Sequence, residues 1–117
     1  MRSRGGARSL KASAPVFAAL GDETRLRLVS RLCEQGPLSI VKLSTGFDVT
    51  RQAITKHLHV LAEAGVVRGA RDGRETVWEL APRRLEEARR HLDAISKQWD
   101  NALNRLKSFV ERAPEEP

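Results

Sequence analysis

Apolar side chains recur at positions 85, 88, 92, 95, 99, 102, 106 and 109, a three-four alternation that runs unbroken through the C-terminal part of the chain. On an α-helix this spacing places Leu85, Leu92, Ile95, Trp99, Leu106 and Phe109 along one narrow face, and it predicts a helix from Pro82 to about Arg112. The chain has 117 residues, the size of one compact domain. A single surface helix in so small a domain has no need of a seam this long and regular. The pattern therefore implies a partner helix, and self-association is the simplest way to supply one.

The remaining exclusions come quickly. No stretch approaches the roughly 20 consecutive apolar residues of a membrane span, and no secretory signal core is visible, so a soluble intracellular protein without membrane partners is expected. A single cysteine, Cys33, rules out an internal disulfide and a cysteine-rich zinc module. The net charge of +6 points to a polyanion, and its location matters more than its sum. Four cations and no acid lie before Asp22, which reads as a flexible basic arm over 1–12. A second group, Arg51, Lys56, Arg68, Arg71 and Arg74, lies in the middle of the chain, and the rest is nearly balanced. A folded domain over 13–113 and a flexible tail at 114–117 complete the expected organisation.

The punctuation predicts five helices and a hairpin. Ser13-Ala14-Pro15 starts a short helix that carries Val16, Phe17 and Leu20 and ends at Gly21. Asp22 caps a second, to about Gln35, with Leu26, Val29, Leu32 and Cys33 at helical spacing. A third, about Ser39 to Thr45, turns Ile40, Val41 and Leu43 inward. Thr50 caps a fourth, Arg51 to Ala64, with Ile54, Leu58 and Leu61 on one face and Gln52, Lys56, His59 and Glu63 on the other. Two short runs then flank Asp72-Gly73, a two-residue hairpin signal with Arg71 and Arg74 beside it. The fold class is mainly α (α+β), a winged helix-turn-helix with a two-stranded β-hairpin wing and a long C-terminal dimerisation helix. That order serves double-stranded DNA. A major groove admits one α-helix, whose first two turns reach base edges, while the wing sets cations against the neighbouring backbone.

Four blocks carry a family resemblance. They are Val16 to Leu28 (VFAALGDETRLRL), Thr50 to Leu58 (TRQAITKHL), Leu61 to Val67 (LAEAGVV), and Arg71 to Arg74 closing on Trp78-Glu79-Leu80. In order and spacing the chain resembles the ArsR/SmtB family of bacterial transcriptional repressors over roughly residues 15 to 110. The resemblance implies a homodimer joined through the first and last helices, hence through Val16, Phe17 and the seam, that acts in the bacterial cytoplasm, on the nucleoid when bound. By position it assigns Thr50, Arg51, Gln52, Thr55, Lys56 and His57 to DNA contact, His57 with the rival role of packing against the neighbouring helix. Arg68, Arg71 and Arg74 become wing contacts, or guards of an exposed strand edge.

The departures narrow the expectation. Where metal-sensing members carry Cys-x-Cys, this chain has Ser39 and Val41, and His91 and Asp93 stand two apart on a helix and do not share a face. No metal and no cofactor are expected. Cys33, on the apolar face, is expected to be a core thiol, with a redox role as its alternative. The expected function is a sequence-specific repressor on an inverted-repeat operator, with its own gene among the candidate targets. A ligand- or thiol-responsive sensor of the same fold and a protein-interaction module built on the last helix are the alternatives. An enzyme lacks a nucleophile or phosphate loop beside its histidines, and single-strand binding lacks aromatics among the cations.

Overall fold

The computed structural model describes residues 2–112, with side chains described from Leu10 onward, so the expected tail at 114–117 lies outside the described residues. In chain order the elements are α1 (Arg2–Leu20), α2 (Glu23–Gln35), β1 (Leu38–Ser39), α3 (Ile40–Leu43), α4 (Arg51–Glu63), β2 (Val67–Asp72), β3 (Glu75–Leu80) and α5 (Pro82–Arg112). The five helices fall where the periodicity puts them, with one difference at the start. The first begins at Arg2, not Ser13, and Pro15 lies inside it rather than in its first turn. Pro15 and Lys11, whose carbonyl loses its usual donor, are both exposed. Most of the segment assigned to a basic arm therefore falls within α1.

The helix ends follow local chemistry. The Asp22 carboxylate accepts the Arg25 amide at 3.0 Å to start α2, and the Thr50 hydroxyl accepts the Ala53 amide at 3.0 Å to start α4. At the far end of α4, Gly65 (φ 82°) donates its amide to Ala62 and Val66 donates to Leu61, the reciprocal pair of a Schellman stop. Glycine is required there twice over. A Cβ would lie only 2.5 Å from Cγ of Arg84, whose side chain crosses the turn.

The wing differs from expectation in two details. The ladder runs from Val67 opposite Leu80 to Asp72 opposite Glu75, so Gly73 and Arg74 form the loop, one residue later than the Asp72-Gly73 reading. Gly73 has φ 68° and Arg74 does not share the positive sign, the pattern of a turn with glycine at its first central position. The hairpin also has a third strand. Leu38 and Ser39 pair with Trp78 and Val77, giving the order β1-β3-β2. Two residues are too few for any alternation to announce a strand.

The core gathers Val16 and Ala19 of α1, Leu28, Val29 and Leu32 of α2, Leu43 of α3, Ile54, Leu58 and Leu61 of α4, Trp78 of the wing and Ala88 of α5. Three assignments change. Leu26 and Cys33 are exposed, because the buried face of α2 is centred on Leu28, Val29 and Leu32, and both stand about 100° round the helix from it. Val41 is also exposed, since α3 makes only one turn and buries Leu43 alone. Along the apolar seam of α5, Ala88 is buried and Leu85 half-buried, while Leu92, Ile95, Trp99, Leu106 and Phe109 stand exposed on the helix.

Candidate nucleic-acid interface

The polar face of α4 is held out by the burial of its opposite side. With Ile54, Leu58 and Leu61 fully buried, the first two turns present Arg51, Gln52 and Lys56 to solvent. Thr50 spends its oxygen on capping the helix and keeps its hydroxyl proton for an external acceptor. Thr55 is half-buried, and its hydroxyl donates back to the Arg51 carbonyl at 3.0 Å. Its position on the face is the predicted one, but its donor is already engaged.

His57 sits elsewhere. Its ring lies between α4 and α2, with Nδ1 3.2 Å from Nη1 of Arg25 and 3.9 Å from the Asp22 carboxylate. A guanidinium has no acceptor, so this bond requires Nδ1 to accept. Arg25 also donates through Nε to the Ala19 carbonyl at 2.6 Å. One arginine thus ties the last turn of α1 and the start of α2 to the recognition helix. The GDETR block contained this residue, but nothing in its spacing distinguished a tertiary clasp from a solvated cation.

Asp22 shares that corner. The Arg25 amide holds its carboxyl below the ordinary carboxylate range, outweighing the opposing cost of desolvation, and the charge of Arg25 adds to the effect. A depressed folded value means that Asp22 contributes stability above the ordinary carboxylate range and loses it as pH falls through the folded value. Acid titration of unfolding should therefore be shallower in Asp22→Ala than in the wild type below that range, with the two curves parallel near neutrality. Curves parallel throughout the acid limb would remove Asp22 from this role.

On the wing, Arg68 donates to its cross-strand neighbour Glu79 at 2.7 Å, so this cation is paired within the sheet. Arg71, opposite Thr76, and Arg74, in the turn, form no ion pair among the described residues. Wing and helix are adjacent. His59, on the outer side of α4, has its ring centroid 6.1 Å from that of Trp78 in β3. Trp78 in turn lies over Gly69, where an added Cβ would meet the indole at 3.2 Å. The His59–Trp78 contact thus joins α4 to the middle of the wing, and Arg68 pairs with Glu79 while remaining largely exposed.

The other candidate sites resolve differently. Ser39 accepts the Lys42 amide as the cap of α3. The buried Ser13 hydroxyl lies 2.8 Å from Nδ1 of His91, a polar tie between α1 and α5. Among the described residues no three or more His, Cys, Asp or Glu side chains converge as a metal site. No helix among the described residues is long and apolar enough to cross a membrane.

A one-turn helix, a second helix with an exposed polar leading end, and an adjoining hairpin tipped with arginine define a winged helix-turn-helix module for DNA. Comparison with known proteins agrees. Residues 20–70 match the family model described as a helix-turn-helix domain. The uncharacterized HTH-type transcriptional regulator YuzN of Bacillus subtilis is 43% identical over 68 residues, covering 53% of this chain and 74% of that protein. The HTH-type transcriptional repressor SmtB of Mycobacterium tuberculosis is 32% identical over 94 residues, covering 80% of this chain and 67% of that protein. The solved ArsR-like transcriptional regulator from Rhodococcus sp. RHA1 superposes with a TM-score of 0.68 at 36% identity, covering 86% of this chain and 93% of that one. The chain belongs to the ArsR/SmtB family of winged helix-turn-helix transcriptional regulators.

Proposed function

We propose that the protein is a homodimeric, sequence-specific repressor that reads an inverted-repeat operator in double-stranded DNA, its own promoter among the candidate targets. The observation that carries this reading is the exposure of Arg51, Gln52 and Lys56 on the leading turns of α4, next to a wing whose Arg71 and Arg74 are unpaired among the described residues. The exposed seam of α5 supplies the second half of the unit. Two recognition helices then enter successive major grooves about 34 to 36 Å apart, which calls for a two-fold repeat. Occupancy of a promoter excludes polymerase, and the SmtB relative, itself a repressor, supports that output. The protein would act in the cytoplasm, on the nucleoid.

Phosphate contacts dominate such affinities, so binding should weaken steeply as salt rises. A binding constant indifferent to salt between dilute and physiological buffer would refute the DNA reading. Within it, Gln52→Ala or Lys56→Ala should cost about 1 to 3 kcal/mol of discrimination between operator and random duplex, whereas Arg74→Ala should weaken both alike. Fluorescence anisotropy on the two duplexes separates the roles. Identical profiles for Gln52→Ala and Arg74→Ala would show that helix and wing do not divide the work in this way.

A further inference from the structure

The segment joining α3 to α4 leads directly into the recognition helix, yet it has little apolar anchorage. α3 is a single turn with only Leu43 buried. From Thr45 to Thr50 every residue is exposed except Phe47, which is half-buried. Two arginines of α2 hold this segment. The Arg27 guanidinium lies 4.3 Å from the centroid of the Phe47 ring and that of Arg31 lies 4.9 Å from it. Arg31 does more than stack. Its Nη1 donates to the carbonyl of Leu43 at 2.9 Å and also to that of Thr45, two backbone acceptors left open where α3 ends. It passes beside Gly46, whose φ of 84° turns the chain toward Phe47.

We propose that Arg31 is a positioning residue for operator reading: through Phe47 and the carbonyls of Leu43 and Thr45 it sets the angle of α4 without itself touching DNA. The proposal rests on the DNA-reading function above. A planar guanidinium is needed, because Nη1 serves both carbonyls while the rest of the flat group faces the aromatic ring, two places that the single nitrogen of a lysine cannot occupy at once. Misaligning α4 weakens base contacts and leaves the charges that meet phosphate unchanged in number.

The test uses the full-length dimer, a duplex enriched from a randomised pool by the wild type, and a scrambled duplex of the same length. Arg31→Ala and Arg31→Lys should both lower the ratio of enriched to scrambled affinity by about tenfold, the scale of one misread base pair. The slope of log affinity against log salt should stay at its wild-type value, Phe47→Leu should match the two arginine variants, and Phe47→Tyr should match the wild type. Sedimentation and far-UV circular dichroism check that each variant remains a folded dimer. Should Arg31→Ala fail that check, Arg31→Lys and Phe47→Leu decide. Arg31→Lys with wild-type discrimination would overturn the proposal, as would equal weakening on both duplexes with a slope reduced by about one, the mark of a direct phosphate contact. A wild type that enriches no duplex would overturn the DNA reading and this proposal together, whereas failure of the arginine variants alone leaves that reading standing.

Discussion

Trp99→Asp should convert the protein from a dimer to a monomer with its fold intact. Trp99 is 64% exposed on the single chain and Phe109 67%, with Leu92, Ile95 and Leu106 on the same face. Contiguous apolar surface of that extent marks an association face. A carboxylate at its centre would have to be desolvated twice across a two-fold interface, at several kcal/mol per ion. Trp99 is exposed and lies outside the core of its own chain, so helix content should be preserved. Sedimentation at micromolar concentration should show the wild type as a dimer and the variant as half that mass, with affinity for an inverted repeat lost because one reading helix cannot engage both half-sites. A monomeric wild type would contradict the seam argument directly.

Leu58→Ala should be among the most damaging substitutions on α4. Leu58 is fully buried on the inner face of that helix, and truncation of such a leucine removes its transfer energy and leaves a cavity, about 2 to 5 kcal/mol in all. Urea unfolding should show the loss. Lys56→Ala, two residues away and exposed, should leave the urea midpoint nearly unchanged, within about 0.5 kcal/mol. The two faces of one helix thus separate by experiment: stability resides on the Leu58 side, discrimination on the Lys56 side. A small loss in Leu58→Ala would mean that the core collapses readily around the missing atoms.

Much of this arrangement was legible in the residues because period and punctuation are local. The caps at Asp22 and Thr50, the inner face at Ile54, Leu58 and Leu61, and the extent of α5 all follow from spacing within one helix. The misjudged features depend on what the rest of the chain does. Cys33 and Leu26 share a helical period with Val29, but which sector of α2 is covered was decided by α1, α4 and the wing. Strand β1 exists only because β3 offers it an edge. Arg68 and Arg71 look alike in sequence, and the cross-strand register gives one of them Glu79 and the other Thr76. His57 and Arg25 belong to blocks of the sequence far apart, and only the fold makes them neighbours.

The pairing of Leu38 and Ser39 with Trp78 and Val77 constrains how such a protein can let go of DNA. It fastens the base of the hairpin to the residues that open α3, and the His59–Trp78 contact fastens the same strand to α4. Hairpin and both helices are therefore linked through β3 into one head. In the dimer proposed above, release would then be expected from a change in the separation or tilt of two such heads across the α5 seam and not from folding the hairpin aside, which directs a search for effectors to the place where the two chains would meet.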